Sequence, residues 1–426
     1  MAGGKPKVLF SKFIDPSLRH RLFKTIQDSS TVSANGQISW PGFRGIDQYV
    51  STLGDAFVFP EEISHHEAPS IIWRGILDAL KSGKLTDSSV LEAFQRITDS
   101  TLSEPLRDFS MWLRLSYTHP ISSPDILFWY GGVFIRLSAR IPSYMNISEQ
   151  ELSRLSPIET KDTPNFGYLV ARTKARNKTE AADKIFGSTE ILRSVYNLAL
   201  KQWNIIGSEQ KPEAALLMGP YQFYFQGKKS LLPESMWFNP SFRDEHWGAK
   251  INIGKLSKHA PAIRKALAKL EPHPLKDPLS AALLMMNDGM ESADMTHRTL
   301  RYWTALERLF QAGDERISYD KIIRRATYLE NPPDISRAKF ARLMRIRNQY
   351  VHMGKSEDRH HQLTQYLAEE IRSHIFYLVF NGDDFADHGE FLEMTDLPSN
   401  TEALQRRRRA IDRRERMIEK RRHRPD

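Results

Sequence analysis

The sequence predicts a multidomain, mainly α-helical protein. It has a mixed, mostly helical N-terminal region over residues 1–150, read as a sensor, and a small α+β middle domain over 157–258. An all-α helical bundle over 275–382 and a basic tail over 383–426 complete it. Three observations predict this. The 426 residues exceed what one ordinary domain holds and, at 40% hydrophobic, can bury sizeable cores. Beyond Pro272, Pro274 and Pro278 the apolar residues recur only at helical spacing. The net charge of +9 is uneven: +6 of it lies from Glu402 onward, where 11 Lys/Arg stand against 5 Asp/Glu.

In the N-terminal region, residues 73–80 and 90–94 have helical spacing of apolar positions, and Pro120, Pro124 and Pro142 interrupt the stretch beyond them. In the middle domain, 166–172 reads as a strand and 179–201 as a helix with Ala182, Ile185, Phe186, Leu192, Val195, Tyr196 and Ala199 on one side. Residues 221–226 and 230–238 read as paired strands around Gly227-Lys228-Lys229. Their aromatics and lysines fit a packed core with a solvated turn; an RNA-holding surface is the alternative. In the bundle, 279–286 is apolar and 296–311 carries Leu300, Trp303, Leu306, Leu309 and Phe310 on one face. Helices over 336–353 and 362–380 complete it, the latter with Leu363, Leu367, Ile371, His374, Ile375 and Leu378 in register, and Asn381-Gly382 stops it.

Composition also excludes. With no cysteine there is no disulfide, thiolate metal site or cysteine nucleophile, and a reducing cytoplasm is the expected compartment. The first seven residues lead into no long apolar run, so no signal peptide is expected. The most apolar segment, 126–137, is too short to span a bilayer and contains Arg136 and two glycines, so no membrane partner is expected. Phosphate-binding glycine loops and the nucleophile elbow are absent. His65-His66, His360-His361 and Asp383-Asp384 with His388 lack any known metal-ligand spacing, so no metal is expected.

The stretch Arg347-Asn348-Gln349-Tyr350-Val351-His352 carries the chemistry. Arg-x4-His is weak alone, and a second match runs from Arg114 to His119, directly before Pro120. Context favours the first. Phe340, Leu343, Met344, Arg347 and Val351 recur at spacings of three and four, which puts Arg347 on an apolar face where a guanidinium needs a partner. His352 falls in the last turn before Gly354, where the helix's carbonyl end favours its protonated form, near Arg347 but not on the same stripe. Glu307, in an i, i+4, i+7 row with Trp303 and Phe310, is read as half-buried; it either holds Arg347 or pairs as a rim carboxylate with another arginine. Tyr350 reads as a core or interface tyrosine, or as a base-stacking one.

Residues from about 279 to 382 resemble a HEPN domain, most closely the Apea-like branch. The likeness rests on Arg347-Asn348-x-x-x-His352, on the helix 302–310 (Tyr-Trp-Thr-Ala-Leu-Glu-Arg-Leu-Phe) and on the closing helix ending Phe376-Tyr377-Leu378-Val379-Phe380. The resemblance implies an all-helical bundle that dimerises and cuts RNA without metal or cofactor, in a toxin or antiviral defence role. RNA supplies its own 2′-hydroxyl nucleophile. A histidine that titrates near neutrality suits proton transfer, a guanidinium suits the phosphate, and Asn348 can donate to phosphate or orient His352. The products would be a 2′,3′-cyclic phosphate and a 5′-hydroxyl. One histidine is thin for two proton transfers, so a homodimer through the bundle, bringing two such pairs to one cleft, is expected. Arg406, Arg407, Arg408 and Arg409 in the tail fit an arm that recruits RNA by counterion release. The alternatives are a non-catalytic RNA-binding or dimerisation module and a nucleotide-handling enzyme using the same basic pocket.

Overall fold

The computed structural model describes the chain apart from residues 1–6, 13, 41–45, 65, 148–165, 201–210, 232–235, 241, 244–245, 314–316, 329–332, 354–360, 399 and 423–426. The described chain is mainly helical, with thirteen α-helices and one large sheet.

Four helices open it: α1 (Pro16–Asp28), α2 (Ile46–Gly54), α3 (Ala68–Lys81) and α4 (Asp87–Ser103). Asp15 starts α1 by accepting from the Ser17 amide at 2.7 Å, with Pro16 in the first turn, where its missing N–H leaves nothing unpaired. Thr86 and Ser89 form a capping box on α4. Phe23, Ile26, Leu53, Ile76 and Phe94 close a small core of their own, joined by short ladders between β1 (Leu9–Phe10) and β4 (Phe57–Val58), while β2 (Thr31–Val32) pairs with β3 (Ile38–Ser39).

The large sheet comes next. It contains β5 (Arg107–Thr118), β6 (Ile126–Tyr130), β7 (Val133–Ser138), β8 (Phe166–Ala175), β9 (Met218–Gln226) and β10 (Lys229–Ser230) in the order β10-β9-β5-β8-β7-β6. β11 (Met236–Phe238) pairs antiparallel with β9, and β12 (Ile251–Asn252) lies parallel to the end of β5. Three of these strands lie before residue 150, so the sheet crosses the boundary read there. β5 is the physical reason: it pairs with both β8 and β9, so the α+β unit cannot close without it. Gly131 and Gly132, at φ +58° and +72°, make the two-residue β6–β7 turn, whose twist suits a tight hairpin. The apolar stretch 126–137 is therefore a hairpin. The β9–β10 turn has Gly227 at φ +57°, as the strand-turn-strand reading requires.

One face of the sheet is covered by α5 (Lys178–Leu200) and α6 (Ile253–Leu270). Met111, Leu113, Leu115 and Tyr117 of β5 alternate inward with Ile126, Phe128 and Tyr130 of β6, and their core continues without a break into the C-terminal helices. These are α7 (Lys276–Glu291), α8 (Met295–Phe310), α9 (Tyr319–Ala326), α10 (Pro333–Met353), α11 (His361–Asn381), α12 (His388–Thr395) and α13 (Thr401–Arg422). Trp303, Leu306, Phe310, Phe340, Leu367 and Ile375 fill the space between them. Asp396 ties α12 to α9 through Arg324 at 2.8 Å and Arg325 at 2.7 Å, and those cations hold its carboxyl at about 2, well below the usual range. No helix among the described residues is long and apolar enough to cross a membrane.

Two buried ionic networks join the sheet's connections to α7 and α8. Glu213 takes Arg298 at 2.7 Å and the Tyr302 hydroxyl at 3.1 Å, with both charged side chains almost wholly buried. Arg193 lies between Glu190, at 2.6 Å, and Glu291, while Asn197 bridges the Leu216 backbone and the Asn287 side chain.

Truncating Arg298 takes its cation away from the buried Glu213 carboxylate, leaving the Tyr302 hydroxyl as a neutral donor to it. Arg298→Ala is expected to lower unfolding free energy by about 3–5 kcal/mol. Denaturant titration measures it as a fall in the midpoint at unchanged slope; a loss below about 1 kcal/mol would show that the pair is not what joins the two parts.

Candidate functional site

The site is built on three helices. α8 is started by Asp294, which accepts from the Thr296 amide at 2.7 Å, and its buried face runs through Tyr302, Trp303, Leu306 and Phe310. Trp303 is buried, and its indole N–H finds an acceptor one turn on, in Glu307 Oε1 at 2.8 Å. α9 adds Tyr319, whose ring meets Trp303 edge-on with centroids 6.0 Å apart. α10 adds Arg347, whose Cζ lies 5.1 Å from the Tyr319 ring centroid. Its Nη2 is 4.0 Å from Glu307 Oε1, and its Nη1 donates to Asn348 Oδ1 at 3.2 Å.

Arg347 and Glu307 each keep 21% of their side-chain surface exposed. Burial pushes the Glu307 carboxyl above its ordinary value, against the opposing pull of the Trp303 hydrogen bond and of Arg347 and Arg308. The guanidinium is therefore held in place by an aromatic face and a neighbouring amide, and only loosely neutralised. Glu307 also borders a cleft of about 480 Å³ with Asp277, Thr304, Arg308, Gln311 and His388, the last held by the Leu309 carbonyl at 2.8 Å.

The structure thus brings together Arg347, Asn348 and Glu307. α10 runs to Met353 and so includes positions 350 and 352, but the side chains of Tyr350 and His352 lie outside the described residues. Val351 departs from the predicted stripe, being 51% exposed. The buried line of α10 keeps Phe340 and Leu343 of the predicted stripe but continues through Ile346, which puts Arg347 at its rim instead of its centre. Tyr319 carried no signal in the sequence; the Trp303–Glu307 bond did, as an i, i+4 pair.

The other motifs resolve differently. His119 is fully buried, with Nδ1 3.0 Å from the Pro120 carbonyl, and Arg114 lies over the Tyr168 ring, so the second Arg-x4-His belongs to the sheet. Asp383 pairs with Lys269 at 2.5 Å, which holds its carboxyl below the usual range. His65 and His360 lie outside the described residues, among which no group of three or more His, Asp or Glu is placed to hold a metal. Arg406, Arg407, Arg408 and Arg409 are exposed on α13, Arg406 3.4 Å from Glu402. No hydrogen bond or ion pair among the described residues links them to Arg347 or Glu307. No protein-family model, curated protein or solved structure matches the chain.

The raised Glu307 carboxyl sets a direction. A carboxyl that is easier to protonate folded than unfolded contributes stability that is full below the unfolded value, near 4.5, and is lost as pH rises through the folded one. Glu307→Gln stays neutral throughout. Its melting temperature should gain on wild type as pH rises from about 4 to about 7; a difference that is flat or falls over that window would mean burial does not dominate at Glu307.

Proposed function

We propose that this chain is a metal-independent endoribonuclease of the HEPN kind, acting in the cytoplasm in a toxin or antiviral defence role. The observation that carries this reading is the Arg347 guanidinium, steadied by Tyr319, Asn348 and Glu307, part-exposed, and five positions before His352 on one helix. In this reading Arg347 takes the scissile phosphate and stabilises the charge that grows on it. His352 moves protons between the 2′-hydroxyl, itself and the leaving 5′-oxygen. Asn348 and Glu307 position the arginine. A two-fold dimer through the bundle supplies the second histidine that separate acid and base roles require. The exposed arginines 406–409 on α13 add sequence-independent affinity for the RNA backbone.

The test is cleavage of total tRNA and mRNA by the full chain in EDTA. His352→Ala should lower the rate by about 10²–10⁴-fold, and Arg347→Ala comparably, with Arg347→Lys failing to restore it because an ammonium lacks the planar fork. Products should end in a cyclic phosphate. RNA bound but not cut would replace the nuclease with a binding module. Activity that needs magnesium or a nucleotide co-substrate would replace it with a nucleotide-handling enzyme.

The tail gives a separate outcome. Ending the chain after Thr401 should raise the KM for RNA, leave kcat in place and flatten the salt dependence of binding, since each lost phosphate contact removes one released counterion. An unchanged salt slope would take α13 out of the mechanism.

A further inference from the structure

The large sheet has a second face, and only half of it is closed. Over β5 and β9, Trp112, Tyr221, Phe223 and Phe225 pack around the buried Met145, whose carbonyl accepts from the Trp112 indole at 3.0 Å. Over β6, β7 and the Arg172 end of β8 the same face is open, while Val170 of β8 is buried in the closed half. Strand register sets two cross-strand rows there: Trp129, Phe134 and Arg172 in one, Leu127, Arg136 and Val170 in the other. Trp129 is 63% exposed and Leu127 45%. Between the rows is a cleft of about 350 Å³ lined by Asp125, Leu127, Phe134, Arg136, Val170 and Arg172. The Arg172 guanidinium lies over the Tyr144 ring at 5.6 Å, and Arg136 stands 3.5 Å from Asp125.

The occupant is set by the chemistry. Trp129 faces solvent directly opposite Phe134, so a flat apolar ring has a platform there. Guanidiniums stand on the two positions next to that platform: Arg172 is one strand across from Phe134, about 5 Å, and Arg136 two residues along β7, about 7 Å. Cations beside an aromatic platform suit a ligand that alternates planar rings with negative charge. A duplex hides its rings in the stack, whereas a single strand offers them. A peptide adding a strand at the edge is disfavoured, because Arg264 Nε already takes the Leu127 carbonyl of β6 at 3.0 Å, and the Gly131 amide in the turn beyond donates to Glu271 at 3.0 Å.

We propose that the outer face of β6–β8 is a binding site for single-stranded RNA. A base stacks on Trp129 beside Phe134, Arg136 and Arg172 take the flanking phosphates, and Asp125 accepts a hydrogen from a base edge. This site goes beyond the chemistry at Arg347 and His352, and its occupancy is measurable whether or not the chain cleaves.

The experiment uses the full chain carrying His352→Ala, in EDTA. Anisotropy is followed with a labelled mixed-sequence oligoribonucleotide of about 12 nucleotides, within the span one such face covers. The single strand should bind more tightly than the same sequence in a blunt duplex. Adding Trp129→Ala should weaken it roughly 5- to 150-fold, the range that loss of one stacked base corresponds to, while Trp129→Phe keeps most of the affinity. Arg136→Ser and Arg172→Ser should each shrink the salt slope by about 0.7. Trp129 is exposed, so an unchanged melting temperature verifies the fold of that variant. Equal affinity of wild type and Trp129→Ala would overturn the site, as would preference for the duplex. A Trp129→Ala variant that shifts in oligomeric state with RNA affinity unmoved would also overturn it and make the face a contact between copies of this chain.

Discussion

The arrangement of the helices on the sheet depends on a carboxylate and a guanidinium removed together from water. Neither Glu213 nor Arg298 could be buried alone, so each dictates where the other's chain segment lies. Part of their remaining bonding capacity is also spent, although the Arg298 Nε is buried with no hydrogen-bond partner among the described residues. Arg298 donates to the carbonyls of Lys211 and Ser292, at 2.9 and 2.6 Å, and Glu213 accepts from Tyr302. The amides of Glu213 and Ala214 donate to the Met290 carbonyl, at 2.7 and 2.9 Å. The segment leading into β9 is thereby registered against the α7–α8 junction by backbone and side chain at once. Burial beside Glu213 drives the Tyr302 hydroxyl well above its ordinary value, so it stays a neutral donor at any pH the protein meets. Arg193, held between Glu190 and Glu291, repeats the device between α5 and α7.

The same helix carries that constraint to the candidate site. Arg298 and Tyr302 are one turn apart on α8, and Trp303 and Glu307 are one turn apart on the neighbouring stripe. Glu307 lies nine positions along the helix from Arg298, roughly 13 Å of rigid rod. The two ion pairs differ in kind. Glu213 and Arg298 touch at 2.7 Å with 2–3% of either side chain exposed, whereas Glu307 and Arg347 stand 4.0 Å apart with 21% exposed. The first guanidinium is sealed away from any ligand. The second is orientated and part-exposed, and among the described residues it donates one hydrogen bond, to Asn348.

How much of this the sequence carried depended on range. Helical periodicity placed α8, α10 and α11 to within a few residues, because the apolar positions that define them are local. The β6–β7 hairpin was also local, written as Gly131-Gly132 between alternating apolar runs, but a hydropathy total merges the two strands into one segment. β5 was harder: its partners begin about fifty and a hundred residues downstream, so nothing near 107–118 tells that it is the sheet's centre. At the site, the pairing of Arg347 with Glu307 could be read as an option from the row Trp303, Glu307, Phe310. Its looseness could not, since that depends on Tyr319 and on Ile346 taking the apolar contact. The Glu213–Arg298 pair spans 85 positions and left no periodic trace at all.

The looseness of the second pair has a chemical consequence. At Glu307, burial outweighs Trp303 and Arg347 together, so the carboxyl already favours its proton more than a free one does. An anion arriving at Arg347 adds like charge beside Glu307 and draws off part of the field that stabilised the carboxylate. Both effects raise the carboxyl further. Anion binding at Arg347 and proton uptake at Glu307 are therefore linked, and each must favour the other by the same free energy. An anion entering this site would meet a carboxyl that burial has already shifted toward its neutral form, and any proton it takes up frees part of the guanidinium's field for the anion. A tight, well-neutralised pair such as Glu213–Arg298 could not exchange partners in this way, because separating it would strand two charges in the core.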